Sequence, residues 1–126
     1  MTRPELPADV RRFILTSVPS VPFLEAVLLL RAEPATGWGV AELARRLYVP
    51  ERTASELLKL LLESGIAAAV GETGTARYGP GPELRERVDQ LAQAYSTHLL
   101  AVTDLIHSRI DRRAQRFADA FRFRKE

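Results

Sequence analysis

The 126-residue chain contains no cysteine. That absence excludes disulfide frameworks, thiolate zinc sites, thiol nucleophiles and cysteine redox sensing together. Lysine is nearly missing as well, so the basic side rests on 16 Arg and 2 Lys against 16 acids, a formal net charge of +2. Such a mild excess allows a nucleic-acid partner without demanding one. No apolar run approaches the roughly 18 residues needed to cross a bilayer, and "AVLLL" at 26–30 reads as a core helix fragment. The opening "MTRPELPADVRR" lacks an apolar signal core with a small-residue cleavage site, so no membrane partner and a cytoplasmic location are expected. Also lacking are a glycine-rich phosphate loop opening a helix, a paired-histidine zinc signature and a nucleophile elbow. The glycines of "GETGTARYGPG" mark turns. Neither an enzyme nor a cofactor is expected.

What is present is an ordinary globular composition, 46% hydrophobic and 27% charged, in a length suited to one core with appendages. Residues 1–19 form an N-terminal helical arm, with Val10, Phe13, Ile14 and Val18 on one side of a short helix. Pro19 and Pro22 break the chain, and Ser20 caps a helix over 21–32 that is apolar nearly all round, hence buried. Trp38, in the loop "EPATGWG", anchors the start of the next helix.

Residues 40–48 place Val40, Leu43, Ala44 and Leu47 at helical offsets on one face. A tight turn, "YVPE", leads to a second helix with Pro50 at its first position and Glu51 at its positive end, running to about Ser64 and stopping at Gly65. "IAAAV", "GETGT" and "ARYG" then read as strand, turn and strand. Helix, turn, helix and hairpin in that order make residues 20–80 a winged helix-turn-helix.

Residues 81–112 read as a long helix, from Glu83 to about Asp111, about 43 Å at 1.5 Å per residue. Its apolar stripe is Leu84, Val88, Leu91, Tyr95, Leu99, Val102, Ile106 and Ile110. One helix of that length exceeds what so small a body can cover, which implies the same helix of a second chain, with room for the N-terminal helix to pack alongside, and a symmetric homodimer. Residues 113–126 form a tail with Phe117, Phe121 and Phe123, and 109–126 hold seven bases against three acids.

"LARRLYVPERTASELLKLLLESGI" resembles the winged helix-turn-helix of bacterial transcriptional regulators, the broad group that contains the multiple-antibiotic-resistance and arsenical-resistance repressors. Leu43, Ala44, Leu47, Val49, Thr53, Ala54, Ser55, Leu58, Leu61, Gly65 and Ile66 carry the resemblance, over about residues 24–79. It implies a mainly α fold with a small β-hairpin wing and a long C-terminal dimerisation helix, acting as a sequence-specific regulator on double-stranded DNA. The second helix would enter the major groove, with Arg52, Thr53, Ser55, Glu56 and Lys59 facing bases and phosphates. Arg45 and Arg46 would touch the backbone, and Arg77 a minor groove or phosphate.

Other features pull against that assignment. Over 50–64, Glu51, Glu56 and Glu63 outnumber Arg52 and Lys59, and a carboxylate near phosphate repels unless it accepts from a cytosine amino group. Leu57, Leu60 and Leu62 make the helix apolar over more of its circumference than groove entry requires, and Tyr48 stands where the family often has glycine. The alternative is a winged-helix protein-interaction module that does not bind DNA. For Arg45 and Arg46 the plainer reading is helix ion pairs with Glu42. Asp104, His107 and Asp111 share a helix face, with His98 near Tyr95, but without a recognised metal spacing they read as polar surface, and no metal is expected.

Overall fold

The computed structural model describes residues 6–108. The N-terminal half follows its punctuation. Helix α1 (Ala8–Ser17) buries Val10 and Ile14, and ends at Val18, which is extended before Pro19 and buried in turn. Ser20 Oγ accepts from the Phe23 N–H at 3.3 Å and opens α2 (Val21–Ala32), whose Phe23, Leu24, Ala26, Val27 and Leu30 lie in the core. Trp38 follows, 2% exposed, with its backbone paired to Ala76 in both directions, at 2.7 and 3.0 Å. A loop residue thereby becomes a core anchor.

Helix α3 (Val40–Leu47) seats Leu43 and Ala44 inward, and α4 (Glu51–Ser64) seats Ala54, Leu57, Leu58 and Leu61. These offsets put one stripe of each helix in the core. Pro50 is the cap rather than the first helical residue, with φ −61° and ψ 153°. Helix α4 ends at Gly65, where φ is 81°, a left-handed conformation that favours glycine.

Strands β1 (Ala67–Ala69) and β2 (Ala76–Tyr78) pair antiparallel, Ala68 opposite Arg77. Period-2 alternation buries Ala76 and Tyr78 and turns Arg77 outward. The fold is therefore mainly helical with a small two-stranded antiparallel sheet.

The C-terminal half departs from expectation. The single long helix predicted over 81–112 is interrupted: α5 (Pro82–Thr97) stops at His98, with φ −133° and ψ 48°, and α6 (Leu99–Ser108) begins at once. Three consecutive polar side chains sit at the break. The hydroxyls of Ser96 and Thr97 both bond the Gln93 carbonyl oxygen at 2.9 Å, and Thr97 Oγ1 lies 2.7 Å from His98 Nδ1. Side chains that bond nearby backbone in this way compete with helix continuation.

The break overturns the premise that one chain is too small to cover the stripe. Val88, Leu91, Val102 and Ile106 are all buried in the same core as α1 and α2, and Leu84 and Tyr95 are partly buried against it. Leu99 stays open at 48% and Leu100 at 72%. Ile110 and the tail at 113–126 lie outside the described residues. Helix α1 of the N-terminal arm packs alongside α5. Ion pairs join these layers: Arg31 of α2 donates to Asp89 of α5 at 2.9 Å, and Arg87 lies 3.9 Å from Asp9.

Candidate nucleic-acid interface

With the apolar stripe of α4 committed to the core, Arg52, Ser55, Glu56 and Lys59 are left on its exposed side, at offsets 0, 3, 4 and 7 from Arg52. Thr53 is half-buried at the edge of that face. The Arg52 side chain is 92% exposed, and its Nε lies 3.8 Å from Glu56 Oε1, a loose pair one helical turn long. Solvent screens such a pair strongly, so the cation remains free to exchange partners. Lys59 makes no ion pair with any described residue.

The two arginines of α3 part company. Arg45 is exposed and has no ion-pair partner among the described residues. Arg46 instead donates from Nη2 to Glu33 Oε2 at 2.7 Å and stacks over the Trp38 ring, 5.3 Å from its centroid. Neither pairs with Glu42 among the described residues. Arg46 is thus a brace between α3 and the α2–α3 loop, with its guanidinium already occupied. Arg77 projects from the outer face of β2 without a described ion-pair partner. Of the residues expected to meet DNA, Arg45, Arg52, Ser55, Lys59 and Arg77 present a free or loosely held polar group to solvent, and the carboxylates Glu42, Glu51, Glu56 and Glu63 are exposed on α3 and α4 alongside them.

Leu57 is buried, which removes one of the three leucines expected to make α4 too apolar; Leu60 and Leu62 remain about two-fifths exposed. Tyr48, expected only as a departure from glycine in the turn, proves to be more than that. It closes α3 in a left-handed conformation, φ 57° and ψ 45°, and its side chain lies almost wholly in solvent. A helix end followed by Pro50 with no glycine in the turn is the signal that points to such a residue.

Behind β2, the Tyr78 ring is buried under the Arg85 guanidinium, 5.2 Å from the ring centroid, and its hydroxyl has no hydrogen-bond partner among the described residues. Burial raises the Tyr78 pKa above its ordinary value of 10.0, and the Asp89 carboxylate adds to the rise. A groove of about 600 Å³ runs between α1 and α5, with Asp9, Glu86, Gln90 and His98 on its walls. No three His, Asp or Glu side chains among the described residues come together to hold a metal ion. Asp104 and His107 are exposed on α6, and Asp111 lies outside the described residues.

Comparison with protein-family models, with curated proteins and with solved structures returns no match to this chain. No single helix among the described residues is long and apolar enough to cross a membrane.

Proposed function

We propose that α3, α4 and the β1–β2 hairpin form a winged helix-turn-helix that binds double-stranded DNA, and that the protein is a cytoplasmic, homodimeric transcriptional regulator. One observation carries the reading. The face of α4 opposite its core stripe is uncovered along its length and carries Arg52, Ser55 and Lys59. A helix seated by one stripe and open on the other, followed by a hairpin bearing an outward arginine, is the arrangement a groove-reading element requires. Arg45, Arg52, Lys59 and Arg77 supply phosphate neutralisation, and Thr53, Ser55 and Glu56 supply groups for base edges.

Pairing of two chains would double this sparse cationic set on a near-palindromic site. With most of the α5–α6 stripe covered within the chain, the most exposed apolar side chains that α5 and α6 leave for a second copy, among the described residues, are Leu99 and Leu100. A second reading, a protein-interaction module, draws on the exposed Leu60 and Leu62 and on the net negative charge of α4.

Selection of genomic DNA fragments at two salt concentrations separates the two. A DNA ligand gives steeply salt-dependent recovery of a shared sequence, and replacing Arg52 and Lys59 with Ala flattens the slope by about two phosphate contacts. Recovery that is absent, or indifferent to salt, rejects the DNA reading.

A further inference from the structure

Tyr48 sits in a backbone conformation that its own side chain opposes. At φ 57° and ψ 45° it fills the left-handed position that closes α3, where its N–H and that of Val49 both bond the Ala44 carbonyl oxygen, the latter at 3.1 Å. In this conformation a Cβ crowds the following carbonyl oxygen, which is why glycine usually takes the place. Burial of a bulky side chain can offset such strain, but Tyr48 is 95% exposed, the most exposed large hydrophobic residue described. Among the described residues its side chain makes no hydrogen bond, ring contact or ion pair. The fold therefore bears the strain and draws nothing from the ring.

The position shows what the ring is for. Tyr48 stands in the turn between the exposed Arg45 of α3 and the exposed Arg52 in the first turn of α4. The exposed Glu51 stands next to Arg52 in the same stretch. A solvent-exposed phenol in the turn that leads into α4, with an arginine three residues before it and another four after, can donate to a phosphate oxygen while the ring lies along the sugar.

We infer that Tyr48 is a sugar–phosphate contact that fixes the approach of α4 to duplex DNA, an assignment that rests on the DNA reading above. A backbone contact positions without reading sequence, so its loss weakens all duplexes alike.

The test uses the full chain, a fluorescent random-sequence duplex at low salt, and the variants Y48F, Y48G and Y48N, with thermal unfolding measured alongside. Y48F is expected to weaken binding roughly tenfold, as does loss of a hydrogen bond to a charged group. Y48G and Y48N are expected to weaken it at least as much while leaving Tm unchanged or raised by roughly 5 °C, because both residues accept the left-handed conformation. Wild-type binding with all three variants equal to wild type overturns the Tyr48 contact and leaves the rest of the interface standing. A fall in Tm for both Y48G and Y48N overturns the premise that the fold does not use the ring. No binding by the wild-type chain overturns the DNA reading, and the Tyr48 contact with it.

Discussion

Arg52 Nε and Glu56 Oε1 face each other at 3.8 Å across one turn of the exposed side of α4, so a cation of the candidate interface is loosely paired with a carboxylate of the same face. Docking on a polyanion breaks this pair and brings Glu56 toward negative charge. The pair itself contributes no more than about 0.5 kcal/mol in water, whereas repulsion across a partly desolvated interface is larger. E56Q should therefore strengthen binding to random-sequence duplex several-fold, with Tm shifted by no more than about 2 °C. If Glu56 also accepts from a cytosine amino group, the same variant narrows the margin between selected and shuffled sequences. Titrations against both duplexes, with unfolding curves, measure the two effects separately.

The neighbouring arginines of α3 should separate fold from ligand. Arg46 combines a 2.7 Å bond to Glu33 with stacking over Trp38, while Arg45 has no described ion-pair partner. A half-exposed ion pair and a surface cation–π contact together amount to about 1 kcal/mol. R46A is expected to lower Tm by roughly 3–5 °C with little effect on duplex affinity once the folded fraction is matched. R45A should do the reverse. Equal Tm values for the two variants would contradict the bracing role of Arg46.

Tyr78 offers a pH test with a definite sign. Its pKa is raised in the folded protein, mainly by burial, so between about 10 and that higher value the unfolded chain has released a proton that the native protein still holds. Stability is full below pH 10 and falls as pH climbs through this window. Y78F removes both the titration and a buried hydroxyl that has no described partner. It should leave stability at pH 7 unchanged or about 1 kcal/mol higher and flatten the alkaline loss. Chemical denaturation at pH 7 and above pH 10 gives both numbers. A steeper alkaline loss in Y78F would show the sign to be wrong.

How much of this was legible beforehand depends on where the chain punctuates itself. From Ser20 to Gly65 the helix starts at Ser20, Gly39 and Pro50 and the stop at Gly65 are marked by a hydroxyl cap, a glycine or a proline, while Glu33 and Tyr48 close α2 and α3 just ahead of Pro34 and Pro50. The break at His98 carries no such mark. Tyr95, Leu99 and Val102 keep the helical spacing of 4 and 3 straight across it, and the competing polar residues lie between them, off the apolar stripe. Periodicity reports which side of a helix is apolar, but not whether the axis continues. The fate of Arg46 was hidden for another reason: its partner Glu33 lies 13 residues away and its ring partner Trp38 in a loop, beyond the reach of any helical offset. The exposed side of α4 was readable because amphipathic spacing alone decides it.

The self-covering of the C-terminal stripe leads to a final prediction. Val88, Leu91, Val102 and Ile106 serve the core of one chain, while Leu99 and Leu100 point away from it. L91A should therefore cost about 2–5 kcal/mol, the penalty for a large-to-small change in a packed interior, whatever the protein concentration. Replacing Leu99 and Leu100 with Gln removes no core contact, so the folded chain should keep its stability at high dilution to within about 1 kcal/mol. If these leucines join two copies, the double variant becomes monomeric by light scattering at concentrations where the parent is a dimer. Its duplex affinity then drops toward that of a single α4, with a salt slope about half as steep, because half the phosphate contacts are gone. A parent that is monomeric at high concentration and binds duplex as one chain would leave Leu99 and Leu100 without this role and halve the expected site to one groove-reading helix.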